Sequence, residues 1–213
     1  MKYSQKFLDE VRSKIPDIAF ELYAKKGIEY VSMQNLADEV GLGFTTMYRY
    51  YGQKRVLVIE VATKKWTEYA NLVEKKYKKL NGEQFSARQE VEFLLDAYID
   101  LYMYHKNLLK FNRNFDVYVI EERPTVQQMQ PYYNAIKYFN DKFHNAIIKA
   151  KNDHSIRTDL SEEKIFNALI ASMLSVASKY AHGVVYPITR KEDHTEELQV
   201  LKEAYLSYLT QGL

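Results

Sequence analysis

The stretch from Ser32 to Lys54 concentrates polar, aromatic and cationic side chains on what reads as two short helices joined by a tight turn. Thr45, Thr46, Tyr48, Arg49 and Tyr50 share one side of the second helix, and Lys54 follows it. No acidic residue lies between Gly41 and Arg55. Hydroxyls, an ammonium and a guanidinium can all bond phosphate oxygens, which fixes register on a duplex without reading its sequence. Gln34, on the first helix, carries an amide of the kind that pairs with adenine, whereas Phe44 offers only stacking or contact with a thymine methyl. A short helix with such a face, behind a glycine turn, suits the major groove of DNA. Packing is the competing use for two of these residues, since Phe44 and Tyr48 could instead serve a local core.

Other constellations carry less chemistry. Asp141 and His144 lie three apart on one helical face, but a di-iron bundle needs two Glu-x-x-His pairs and two further carboxylates, and the chain has no Glu-x-x-His. His105, His182 and His194 show no ligand spacing. There is no glycine-rich phosphate loop, nucleophile elbow or His-Glu-x-x-His. With no Cys, neither thiolate nor disulfide chemistry is available. An enzyme, a metal site and a bound cofactor are therefore not expected. A net charge of +2 is too weak to argue for nucleic-acid binding by itself, so the local distribution must carry that case. The segment Met1 to Ile15 lacks the apolar run of a signal peptide, and no apolar stretch is long enough to span a bilayer. A cytoplasmic protein without a membrane partner is expected.

The elements that must position the Ser32–Lys54 face can be read from caps and periodicity. Ser32 is a good N-cap, Leu36, Ala37 and Val40 form one apolar stripe, and Gly41 follows it as a left-handed stop. Phe44 to Tyr51 forms the second helix, with Met47 and Tyr51 together on its inner face. Upstream, a helix from about Ser4 or Ser13 to Lys26 repeats Ile15, Ile18, Ala19 and Leu22 at three- and four-residue steps. Pro16 sits either in its first turn or at a kink. From Lys54 a long helix runs toward Leu80, with Val58, Val61, Ala62, Trp66, Tyr69 and Val73 apolar. The lysines between 75 and 79 read as its solvated end, in preference to a second phosphate contact, because they lie some twenty residues beyond the DNA-reading unit.

Further helices are predicted over Ser86 to Tyr104, Asn107 to Val119, and Pro131, taken as a first helical position, to about Lys151. Ser161 caps another that reaches about His182, favoured by Glu162 and Glu163 in its first turn. The last begins near Thr195. No segment alternates as a strand would, so the fold is expected to be all-α. Small residues Ala171, Ser175 and Ser178, with Leu198, Leu201, Tyr205 and Tyr208 on a heptad-like seam, suggest a four-helix interface between two copies, built from the helices Glu162–His182 and Glu196–Gln211.

Gly41-Leu-Gly-Phe-Thr-Thr-Met-Tyr-Arg-Tyr-Tyr-Gly-Gln-Lys54 resembles the helix-turn-helix of the TetR-type transcriptional regulators, whose usual form is G-V-S-x-x-x-L-Y-x-H-F-x-x-K. Ile15-Pro-Asp-Ile-Ala-Phe-Glu-Leu-Tyr-Ala-Lys-Lys-Gly27 is similar to that family's first helix. Gly43 replaces the common Ser, Phe44 a usually polar residue, and Tyr50 a frequent His. The resemblance implies an N-terminal three-helix DNA-binding domain, residues 1–53, and a helical effector-binding and dimerisation domain, residues 54–213. It implies a repressor that binds a palindromic double-stranded operator as a homodimer and is released by a small molecule. Ser32, Gln34, Phe44, Thr45, Thr46, Tyr48, Arg49, Tyr50 and Lys54 would face DNA, Tyr48 and Lys54 on phosphates. It also implies a pocket for an apolar or aromatic effector. Trp66, Tyr69, Tyr98, Tyr102, Phe111, Phe115, Tyr118, Tyr132 and Phe139 are candidates for its walls, and plain core is their alternative use. A competing reading is an all-α small-molecule-binding or catalytic bundle whose helix-turn-helix is coincidental.

Overall fold

A computed structural model describes residues 5–183 and 193–210, with side chains from Glu10 onward. The described chain is built from ten α-helices and contains no strand, as expected. They are α1 (Gln5–Lys26), α2 (Met33–Val40), α3 (Phe44–Tyr51), α4 (Lys54–Lys79) and α5 (Ala87–Tyr104), then α6 (Lys106–Glu122), α7 (Val126–Asp153), α8 (Glu162–Ile165), α9 (Ser172–Ala181) and α10 (Thr195–Thr210). The expected start at Ser4 and the expected end at Gln211 lie outside the described residues.

The helices form two compact units. The first comprises residues 1–67 and 110–135, the second residues 68–109 and 136–213. α4, α6 and α7 therefore each supply residues to both.

In the first unit, local chemistry sets the helix ends. The Ser32 hydroxyl accepts from Asn35 N–H at 3.1 Å while the Asn35 side chain accepts from Ser32 N–H at 2.9 Å, a reciprocal cap worth about 1 kcal/mol. Gly41 ends α2 at φ 74°, where its N–H and that of Leu42 close back onto the carbonyls of Asp38 and Ala37. The core beneath is supplied by Ile15, Ala19 and Tyr23 of α1, Leu36 and Ala37 of α2, and Met47 of α3, all essentially inaccessible. Burying Leu36 or Met47 contributes about 1.5–3 kcal/mol each. Pro16 lies inside α1, which continues through it rather than starting there.

α7 also departs from expectation. It begins at Val126, so Pro131 is internal rather than first. The cause is a second reciprocal cap: Thr125 Oγ1 accepts from Gln128 N–H at 3.2 Å, and Gln128 Oε1 accepts from Thr125 N–H at 2.9 Å.

In the second unit, α5 packs against α9 and α10. Its most demanding contact is polar. Glu90, 1% exposed, accepts at Oε1 from Tyr77 Oη at 2.6 Å and from Lys149 Nζ at 2.5 Å, so the buried carboxylate is ion-paired through one of its two oxygens. The helix expected from Ser161 to about His182 is interrupted: residues Phe166–Ala171 widen into a π-helical segment between α8 and α9.

Candidate nucleic-acid interface

α3 separates its two faces cleanly. Met47 and Tyr51 are buried, while Phe44 and Tyr48 are 43% and 49% exposed. The last two pack against one another with tilted rings, 5.3 Å between centroids and one helical turn apart. Thr45 and Arg49 are exposed, and Thr46 and Tyr50 are half-buried. The Arg49 guanidinium lies 5.8 Å from the Tyr50 ring and that of Arg12, from α1, 5.3 Å from it. Arg12 thus joins this cationic face without any local sequence signal. On α2, Gln34 and Ser32 are both exposed. The Gln34 amide donates to Asp38 at 2.7 Å, and the Ser32 hydroxyl is occupied in its cap.

Lys54 is drawn inward. Its ammonium donates to the Ile28 carbonyl and lies 5.8 Å from the Tyr118 ring centroid. Burial lowers its pKa, opposed by Glu122 and Glu29. An ammonium has three donors, so one carbonyl does not exhaust it.

The nine aromatic candidates divide between the units. In the first, Phe111 stacks on Phe115 at 5.8 Å, and Phe115 meets Tyr132 at 4.9 Å. Trp66 donates its indole N–H to Asn112 at 3.1 Å, and Asn112 donates to Asp116 at 3.2 Å. Burial pushes the Asp116 carboxyl up to about 6, and it pushes the Tyr118 phenol up to about 12. In the second unit, Phe139 stands 6.1 Å from Tyr69 and 6.0 Å from Tyr98. Tyr69 donates to the Ala97 carbonyl, and Tyr102 Oη accepts from His194 N–H at 3.1 Å. All of these rings are buried except that of Tyr132, which is half-buried.

The residues expected between two copies are also distributed. Ser175 and Tyr208 are exposed, and Ala171, Leu201 and Tyr205 are half-buried. Ser178 and Leu198 are buried within the chain's own second unit, Leu198 completely. Tyr205 shares a 2.5 Å hydrogen bond with Ser172.

A family model described as bacterial regulatory proteins, tetR family, matches residues 15–61, which span the end of α1, both short helices and the start of α4. The chain carries the TetR family's helix-turn-helix domain at residues 15–61. Like its relatives, it is a DNA-binding transcriptional regulator and not an enzyme. One such relative is an HTH-type transcriptional regulator of Staphylococcus aureus (strain bovine RF122 / ET3-1), 22% identical over 81% of this chain and 85% of its own length. Another, from strain MRSA252, is 28% identical over 47% of this chain and 52% of its own. Among solved structures, the transcriptional regulator FadR from Bacillus subtilis, in complex with stearoyl-CoA, superposes with a TM-score of 0.66 at 17% identity, covering 95% of this chain and 99% of that one. A regulator from Saccharomonospora viridis in complex with choline superposes with a TM-score of 0.65 at 14% identity, covering 96% and 97%. These likenesses establish the TetR-like fold, with an N-terminal helix-turn-helix and a helical C-terminal part. Among the described residues, no helix of this TetR-family chain is long and apolar enough to cross a membrane.

Proposed function

We propose that this TetR-family regulator is a repressor that binds a palindromic operator as a homodimer and is released by a small-molecule effector. The observation that carries the reading is the solvent-facing, acid-free side of α3, where Phe44, Thr45, Tyr48 and Arg49 stand over a buried Met47–Tyr51 seam. On this reading residues 1–53 read DNA and residues 54–213 serve the effector and the second copy. Tyr48 donates to a phosphate, and Lys54 exchanges the Ile28 carbonyl for another. Phe44, Thr45, Thr46 and Tyr50, with Gln34, meet base edges, while Ser32 and Arg49 add phosphate contacts.

Exposure of Ser175 and Tyr208 supports a second copy seated on the α9–α10 face, with Ala171, Leu201 and Tyr205 beside them. Two recognition helices then enter successive major grooves about 34–36 Å apart. α4 runs unbroken from Lys54 past Trp66 and Tyr69, so an effector favouring a different tilt of this helix would shift the population away from that spacing. Complexes of TetR-like neighbours with stearoyl-CoA and with choline support a small molecule as effector. We assign it to the aromatic residues between Trp66 and Phe139, and its class to apolar or aromatic compounds. The cell compartment that follows is the cytoplasm.

Selection from a random duplex pool tests this. Bound DNA should be enriched in an inverted repeat with half-sites one helical turn apart, and the affinity should fall steeply with salt. Enrichment of single half-sites, or binding indifferent to salt, would overturn the proposal.

A further inference from the structure

A groove of about 390 Å³ lies in the first unit, lined by Arg55, Val56, Ile59, Glu60 and Thr63 of α4 and by Gln128 and Pro131 of α7. It is distinct from the site assigned to the effector, because none of the nine aromatic candidates lines it. On a helix turning roughly 100° per residue, Arg55 and Glu60 point about 140° apart and are offset by about 7.5 Å along the axis. Opposite charges therefore stand at opposite margins of the groove, and Val56, Ile59 and Thr63 fall between them.

Arg55 is incompletely paired within the protein, and Glu60 is exposed without an ionic partner among the described residues. Arg55 Nη2 donates to Gln53 at 3.0 Å, but Nη1 reaches the Glu122 carbonyl only at 3.5 Å and its carboxylate at 4.0 Å. The Nε–H is buried with no partner, so a guanidinium with five donors spends few of them. Glu60 makes no ion pair among the described residues. The cations that act on it have other partners: Arg12 lies over Tyr50, and Lys64 donates to Asp17 at 2.8 Å. Desolvation accordingly raises the Glu60 carboxyl above its ordinary range, with Arg12 and Lys64 opposing. Val56, 47% exposed, leaves apolar surface uncovered in the middle.

We propose that this groove binds a small zwitterion, its carboxylate on Arg55, its ammonium on Glu60 and an apolar chain over Val56, Ile59 and Pro131. A ligand with only a negative end would leave Glu60 uncompensated and facing another anion. One with only a positive end would do the same to Arg55. The volume falls in the lower part of the range for small-molecule pockets, about 300–1,000 Å³, which suits a short chain rather than a polycyclic compound.

Titration calorimetry of the full chain with 6-aminohexanoate, whose charges sit at the two ends of a methylene chain, tests the assignment. Hexanoate and hexylamine are the single-charge probes. Each should bind about tenfold or more weakly than 6-aminohexanoate, the loss of one charge-assisted hydrogen bond. Arg55→Gln should bring 6-aminohexanoate down to the affinity of hexylamine, and Glu60→Gln down to that of hexanoate, with helical content unchanged. Norleucine, whose two charges share one carbon, should bind no better than the single-charge probes. Equal affinity for 6-aminohexanoate and hexanoate, indifference to Glu60→Gln, or no heat with 6-aminohexanoate would overturn the proposal. Because the readout is direct binding, its failure leaves the operator and effector readings untouched.

Discussion

Replacing Tyr48 by Phe removes a single oxygen from the most informative position on α3. The ring is 49% exposed and leans on Phe44 at 5.3 Å, a contact that Phe preserves. Its hydroxyl has no hydrogen-bond partner among the described residues, so the free protein should change stability by no more than about 0.5 kcal/mol. In the complex the hydroxyl donates to a phosphate, and a hydrogen bond to a charged group is worth about 1.5–3 kcal/mol. One recognition helix should therefore lose about tenfold to a hundredfold in affinity, and two in a dimer should lose twice that free energy. Because the lost donor is neutral, the slope of log affinity against log salt should stay the same. Fluorescence anisotropy on operator and on random duplex, each across a salt series, separates these statements. The two DNAs should weaken by the same factor with parallel salt slopes. Unchanged affinity would show that Tyr48 only packs against Phe44, and a loss confined to the operator would make it a base reader.

Three further outcomes follow from particular contacts. Leu201→Glu should place a charge on the half-buried α10 face and yield monomers in sedimentation, with helical content retained; a persistent dimer would locate the interface elsewhere. Asp116 is raised from 3.8 to about 6 by burial, so the folded chain holds a proton that the unfolded chain has released. Its contribution to stability is full below about pH 4 and is lost as pH rises through 6, by about 1 kcal/mol once solvent screening at its exposed edge is allowed for. Asp116→Asn should flatten the fall in Tm between pH 4 and 7, and an unaltered profile would refute the assignment. Gly82→Ala should cost about 1–3 kcal/mol in urea unfolding, since its Cβ would lie 2.3 Å from the Tyr77 ring, which is held by its hydrogen bond to Glu90. A neutral result would mean that the ring can move aside.

The sequence by itself determined what depends on neighbours within a helical turn or two. Ser32 with Asn35, and Gly41 with its positive φ, end α2 through hydrogen bonds reaching at most five residues, and the two faces of α3 follow from its period. The all-α class follows in the same way, from repeated three- and four-residue spacing with few glycines or prolines. The start of α7 was equally local, written in Thr125 and Gln128, but Pro131 offered a competing signal and the reciprocal cap prevailed. Only the tertiary structure decided where side chains with several uses are spent. Lys54 turns toward the carbonyl of Ile28, and Arg12 reaches Tyr50, over separations that no local pattern encodes. In α10 the spacing lines up Leu198, Leu201, Tyr205 and Tyr208, yet packing on α5 and α9 buries Leu198, Leu206 and Leu209 and leaves Tyr208 41% exposed. A helix with apolar residues on more than one stripe has no preferred inner face until its partners arrive. The aromatic residues obey the same rule: their number promises burial, but the partners that settle each ring come from distant parts of the chain.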